Sequence, residues 1–152
     1  MPIYLCQSWH DDHYGDTDFI AKANDALVIS TAEVAGKAAA AGCRTHAMHL
    51  GGKFDFEFGS VRMVPAFHGA GIPGGHAAGC IVNFYGDILY FAGDTALFSD
   101  MKLLNRFGEI DYAFFLSVII TQWELKMQPC CLLCKSAYFH SNSLQNMACY
   151  RP

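Results

Sequence analysis

His10-Asp11-Asp12-His13 places two imidazoles and two carboxylates within four residues, directly after the short apolar run Ile3 to Cys6. Divalent zinc, iron and manganese take neutral imidazole nitrogen and carboxylate oxygen at roughly 2.0–2.2 Å, and a tight turn at the end of a strand aims several such atoms at one point. Taken alone, the four residues read equally well as a polar solvated turn. His68 falls in Pro65-Ala66-Phe67-His68-Gly69-Ala70-Gly71, where glycine lets backbone approach a ligand closely. A single histidine in such a loop is as readily structural. Asp94 lies in Phe91-Ala92-Gly93-Asp94-Thr95, where a turn-forming aspartate is the common alternative. The three sites gain weight jointly, because each follows a predicted strand and one sheet edge can gather them.

The elements that must position them are legible in the pattern of apolar residues. Ala26 to Ser30 reads as a strand, after which Ser30 or Thr31 caps a helix that stops at Gly42. Lys53 to Phe58 alternates strictly, with three phenylalanines on one face, and Gly59-Ser60 is expected to turn the chain into Val61 to Phe67. Ala78 to Phe84 and Ile88 to Phe91 flank Tyr85-Gly86-Asp87 as a hairpin. Ser99 to Phe107 has helical spacing, and Asp111 to Leu116 returns to strand.

The chain has 152 residues, 53% apolar and 16% charged, which fits one modest domain or part of a larger one. A net charge of −4 with ten Lys and Arg offers no basic stripe, so neither nucleic acid nor a membrane surface is expected as a partner. The longest apolar run, Tyr112 to Ile120, is far shorter than the ~20 residues of a bilayer span. The seven cysteines are odd in number, with Cys130, Cys131, Cys134 and Cys149 crowded near the end, which favours reduced thiols in the cytoplasm over a disulfide framework. Those four, with His140, also admit a separate zinc site, although a second well-spaced ligand pair is lacking. His46 and His49 stand three apart and His76 follows Gly75, but a structural role or a loop position explains each.

The order His-Asp-Asp-His, an isolated strand-end His, then Gly-Asp-Thr resembles the metallo-β-lactamase superfamily, whose first motif runs His-x-His-x-Asp-His. Gly51-Gly52-Lys53-Phe54-Asp55-Phe56, Pro65-Ala66-Phe67-His68 and Ala92-Gly93-Asp94-Thr95-Ala96-Leu97-Phe98-Ser99-Asp100-Met101-Lys102 are similar to the UPF0173 metal-dependent hydrolases. The resemblance covers about residues 10 to 116. It implies an α/β (α+β) fold, the αββα sandwich of two mixed sheets faced by helices, incomplete at both ends. It also implies His10, Asp12, His13, His68 and Asp94 as metal ligands, with Asp94 bridging and Asp12 also the catalytic carboxylate. One or two divalent ions are expected, zinc first with manganese or iron as alternatives. The expected reaction is hydrolysis of a small-molecule ester, thioester, amide or phosphoester. Oligomeric state is left open.

Two departures accompany the matches. Ser8 stands where the first motif has its first histidine, and the last ligand histidine of the family has no clear counterpart, although His140 lies in the right region. Reading Gln7-Ser8-Trp9 one nucleotide later restores a His-Gly pair before His10. A similar shift at Leu116 turns Ser117 to Pro129 into a family-like continuation. The expectation is therefore a partial hydrolase domain over 1–116 and a Cys-rich, frame-shifted tail over 117–152, which the coding DNA tests. With an imidazole missing from each half of the centre, turnover is expected to be weak or absent. The alternative is a non-catalytic metal-binding relic whose phenylalanine face, Phe54, Phe56 and Phe58, lacks partners.

Overall fold

The computed structural model describes residues 1–116 and, by its backbone, the strand Cys134–His140. In chain order the elements are β1 (Ile3–Leu5), α1 (Asp11–Tyr14), α2 (Thr17–Ala23), β2 (Leu27–Thr31), α3 (Ala32–Ala40) and β3 (Arg44–Met48). They continue with β4 (Lys53–Phe56), β5 (Gly59–Pro65), β6 (Ala78–Phe84), β7 (Asp87–Phe91), a 3-10 helix (Ser99–Phe107), β8 (Ile110–Leu116) and β9 (Cys134–His140). Strands β1-β2-β3 form one sheet and β4 to β9, in sequence order, form the other.

Alternation along the strands builds the layers, because successive side chains leave a strand on opposite faces. In β2, Val28 packs with Val34 and Ala38 of α3 and Ala21 of α2, while its neighbours Leu27 and Ile29 face the six-stranded sheet. In β6, Cys80 and Val82 face that same interior, while Ile81 points outward to Met101 and Leu104 of the 3-10 helix. Strand β7 repeats the division, with Leu89 and Phe91 inward and Tyr90 outward. The result is helix, sheet, sheet, helix, the expected αββα sandwich. Fully burying one such aliphatic side chain contributes about 1.5–3 kcal/mol, so Val28 and Ile29, both wholly buried, bind β2 to both of its neighbouring layers.

Three local expectations are corrected. The three-stranded sheet is parallel throughout, because β1 to β2 and β2 to β3 are joined by helical crossovers; the six-stranded sheet alone is mixed. The first hairpin turns at Glu57-Phe58, two residues earlier than expected, with Phe56 opposite Gly59. Gly59 is needed for close approach rather than for the turn, since a Cβ there would sit 2.1 Å from the Asn83 carbonyl oxygen at φ +135°. Phe56 and Phe58 do find partners, packing against the inter-sheet core. Phe54 is 45% exposed and lays its ring 4.2 Å from that of His46.

Strands β5 and β7 are both antiparallel to β6, so their carboxyl ends lie at one edge of the sheet. The loops after β5 and β7 carry His68 and Asp94, and the loop after β1 in the facing sheet carries His10 to His13.

Candidate metal centre

Backbone bonds fasten the loop after β1 between the sheets. The Cys6 N–H donates to the Ile29 carbonyl at 3.1 Å, the Ala78 N–H to that of Gln7 at 3.2 Å, and the Trp9 N–H to that of Ala70 at 2.8 Å. His10 holds the N-cap position of α1, and its carbonyl accepts from His13 N–H at 3.0 Å and Tyr14 N–H at 2.7 Å. That single turn is anchored by the buried Tyr14 ring, 4.0 Å from Trp9. Gly71, at φ +70°, lies so close to His10 that a Cβ there would meet its Cδ2 at 2.8 Å and its backbone nitrogen at 2.9 Å.

The Asp94 loop is tied to both others. Gln7 Nε2 donates to the Asp94 carbonyl at 3.1 Å. The Phe67 N–H donates to Thr95 Oγ1 at 2.9 Å, and the Ala96 N–H returns to the Phe67 carbonyl at 3.1 Å. Sequence reasoning did not single out Gln7, whereas the threonine flanking Asp94 reads as a residue able to position its carboxylate. Thr95 carried a signal in directly following Asp94; Gln7 carried none, because its role depends on a loop brought alongside by the sandwich.

Asp94 is 7% exposed, and its Oδ2 lies 3.0 Å from His13 Nε2 and 3.6 Å from His68 Nε2. Asp12 Oδ2 lies 3.8 Å from His13 Nε2, with its side chain 72% exposed at the mouth. Asp12, His13 and Asp94 each offer a donor atom, all within 4.8 Å of one another. His10 stands edge-on to His68 with ring centroids 5.2 Å apart. Asp12, His13 and His68 thus gather at Asp94, and His10 adjoins them through His68.

The close approach of His13 Nε2 to Asp94 lacks hydrogen-bond alignment, and His13 Nε2 and Asp94 Oδ1 are buried without a hydrogen-bond partner. Buried polar atoms are nearly always paired, and an ion is one of the few explanations for orphans that converge. Imidazole nitrogen and carboxylate oxygen are the donors that zinc, manganese or iron accept, so the residues present fit a divalent cation.

Ser8, wholly buried, places its hydroxyl 3.3 Å from His10 Nδ1. His46 is engaged in ring contacts with Phe54 and Phe56, a structural role. His49 accepts the Gly52 N–H in a turn, and His76 is exposed on the loop before β6. Cys130, Cys131 and Cys149 lie outside the described residues, as do the side chains of Cys134 and His140. No helix among the described residues is long and apolar enough to cross a membrane.

A family model described as "Beta-lactamase superfamily domain" matches residues 5–144. Curated relatives include a UPF0173 metal-dependent hydrolase of Natranaerobius thermophilus, 56% identical over 109 residues, covering 72% of this chain and 49% of the relative. One from Symbiobacterium thermophilum is 55% identical over 96 residues, covering 63% and 43%. The chain spans about half the length of the curated relatives it matches. Among solved structures, a metallo hydrolase of Ignicoccus hospitalis superposes with a TM-score of 0.70 at 23% identity, over 76% of this chain and 52% of that one. A metallo-beta-lactamase fold protein of Bacillus subtilis gives 0.60 at 9% identity, over 76% and 50%. These two likenesses bear on the fold alone.

Proposed function

We propose a function from one premise: this chain belongs to the beta-lactamase superfamily, and its curated relatives at 42–56% identity are UPF0173 metal-dependent hydrolases. The chain binds a divalent cation, zinc in the first instance, through Asp12, His13 and Asp94, with His68 beside Asp94 and His10 beside His68 as further imidazole donors. The observation that carries this reading is the pair of buried, unpartnered atoms His13 Nε2 and Asp94 Oδ1 beside a third donor from Asp12.

Such an ion lowers the pKa of bound water to near ~7 and polarises a carbonyl or phosphoryl oxygen. The residues of the chain divide the remaining work. Asp94, held by Gln7 and by the bonds of its neighbours Thr95 and Ala96 to Phe67, fixes the spacing of the two histidines that flank it. Asp12, exposed at the mouth, is placed to take a proton on its carboxylate from attacking water. The substrate is a small-molecule ester, thioester, amide or phosphoester, and the thiols of Cys6, Cys43 and Cys80, all free, suit a cytoplasmic setting.

Ser8 favours a second reading, a chain that binds metal without appreciable turnover, because a hydroxyl stands where the related motif carries an imidazole. Zinc titration of the purified chain, followed by assays on nitrophenyl ester and phosphodiester substrates with and without chelator, separates the two. Stoichiometric binding abolished in His13→Ala is the expected result, with rates well below those of an intact relative. A chain that takes up no zinc overturns the metal centre, and chelator-sensitive rates equal to the relative's overturn the expectation of weak turnover.

A further inference from the structure

We infer that Phe67, braced by Phe98, is a specificity-determining residue beside the metal centre: its ring is a shelf for an apolar acyl or aryl group carried by a neutral carbonyl substrate. The inference rests on the metal-binding reading and narrows its substrate to an ester, thioester or amide with such a group.

The centre opens to water past Asp12 and His68, whose side chains are 72% and 37% exposed. Phe67 directly precedes His68, so its Cα lies ~3.8 Å from that of a donor residue and borders the opening on that side. Phe67 is 64% exposed. A single exposed apolar side chain is ordinary on a protein surface, but this one is fixed in place. Its N–H donates to Thr95 Oγ1 at 2.9 Å and its carbonyl accepts the Ala96 N–H at 3.1 Å, both in the loop that carries Asp94. Its ring rests on that of Phe98, with centroids 5.0 Å apart and planes tilted by 39°. Phe98 is itself half-buried and packs on the cluster that holds Tyr90, Met101 and Leu104, so the support belongs to the core. A side chain exposed yet braced in advance loses little freedom on meeting a ligand.

Charge selects against the anionic alternative. Segments 6–16, 66–77 and 92–98 bear His10, Asp12, His13, His68 and Asp94, and none of the three contains Lys or Arg. A phosphodiester finds no cationic side chain on them, and the exposed Asp12 carboxylate repels it. A neutral carbonyl group with an apolar neighbour meets no such penalty and covers the Phe67 ring.

The test compares acetohydroxamate with benzohydroxamate, two zinc-chelating carbonyl mimics that differ in their apolar group. Isothermal titration of the zinc-loaded chain gives the affinities, and NMR follows the Phe67 ring resonances. Benzohydroxamate is expected to bind ~10-fold more tightly than acetohydroxamate, the discrimination that a small apolar contact gives, and to shift the Phe67 ring. Phe67→Ala is expected to erase that preference and leave the affinities for acetohydroxamate and zinc unchanged, while Phe67→Leu keeps most of it. Equal affinities for the two probes in the unsubstituted chain overturn the inference, as does a preference that survives Phe67→Ala. Loss of affinity for both probes alike in Phe67→Ala would assign the ring to holding the loop, and overturns it too. A chain that takes up no zinc defeats the metal reading by itself. Benzohydroxamate at millimolar concentration is then still expected to shift the Phe67 ring of the metal-free chain, and no shift there overturns the shelf as well.

Discussion

His13 Nε2 lies 3.0 Å from Asp94 Oδ2, one side chain from the turn that follows β1 and the other from the loop that follows β7 in the facing sheet. The contact is not aligned as a hydrogen bond and leaves His13 Nε2 and Asp94 Oδ1, both buried, without a hydrogen-bond partner, as two groups that offer lone pairs to a shared ligand would be. Removing either ligand should therefore lower metal affinity more than loss of an outer hydrogen bond does, beyond the ~10–100-fold typical of outer partners. Isothermal titration with zinc of His13→Ala and Asp94→Asn measures this. Affinities within a factor of ten of the unsubstituted chain would show that the ion, if bound, sits elsewhere.

Metal binding should also stabilise the fold, because the three donors come from two separate loops and converge only in the native chain. A ligand at a hundredfold excess over its Kd that binds only the native state contributes ~2.7 kcal/mol. For a chain of this size, at ~2–4 °C per kcal/mol, Tm should rise by roughly 5–10 °C. Calorimetry with zinc and with chelator is the measurement, and a Tm indifferent to both would argue against a site formed by folding.

The site was legible in the sequence because its ligands stand at the ends of strands, where residue type is not explained by packing. His10, Asp12, His13, His68 and Asp94 each follow an apolar run, and the parallel sense of β5 and β7 brings two of them to one edge. The hairpin after β4 was misplaced for a physical reason. Gly59 resembles a turn residue, but it is glycine because the Asn83 carbonyl leaves no room for a side chain. The alternating run Lys53 to Phe58 also hid the turn, since Phe58 keeps its apolar role after the strand has ended by packing on the inter-sheet core. The bonds of Gln7 to Asp94 and of Phe67 to Thr95 were invisible because they join loops far apart in sequence.

Thr95→Val tests those ties. Replacing the buried hydroxyl with a methyl leaves the Phe67 N–H without its acceptor, and because Phe67 is exposed the cost is that of a typical net hydrogen bond, about 0.5–1.5 kcal/mol. Urea unfolding should show that loss. Zinc affinity should fall as well, because the loops bearing His68 and Asp94 are then joined by one bond fewer. A variant as stable as the parent would mean that the Phe67 N–H finds water without penalty.

Buried thiols set the behaviour at high pH. Burial pushes the Cys6 thiol up to about 11 and the Cys80 thiol up to about 12, from 9.0. A folded-state value above the unfolded one means the contribution is fully present below pH 9 and is lost as pH rises through 11 and 12. Stability from urea unfolding should thus be flat up to pH 9 and decline above it. The double variant Cys6→Ala, Cys80→Ala should remove most of the decline between pH 9 and 10. Above pH 10, the buried Tyr14 phenol, also raised, keeps part of it. An unchanged decline in the double variant would assign the alkaline loss to other groups.

Two glycines on one loop separate backbone strain from crowding at the centre. Gly71 and Gly74 have nearly the same left-handed backbone, φ +70° and +74°, so an alanine at either should pay the same conformational cost of about 1–2 kcal/mol. A Cβ on Gly74 meets nothing within 4 Å, whereas one on Gly71 would press on Cδ2 and the backbone of His10. Both variants should therefore lose stability, Gly71→Ala the more, but only Gly71→Ala should weaken zinc binding and disturb the His10 ring resonances. If Gly74→Ala weakens zinc binding as much, the loop acts through its overall stiffness. The packing of Gly71 against His10 would then have no part in holding the imidazole in place.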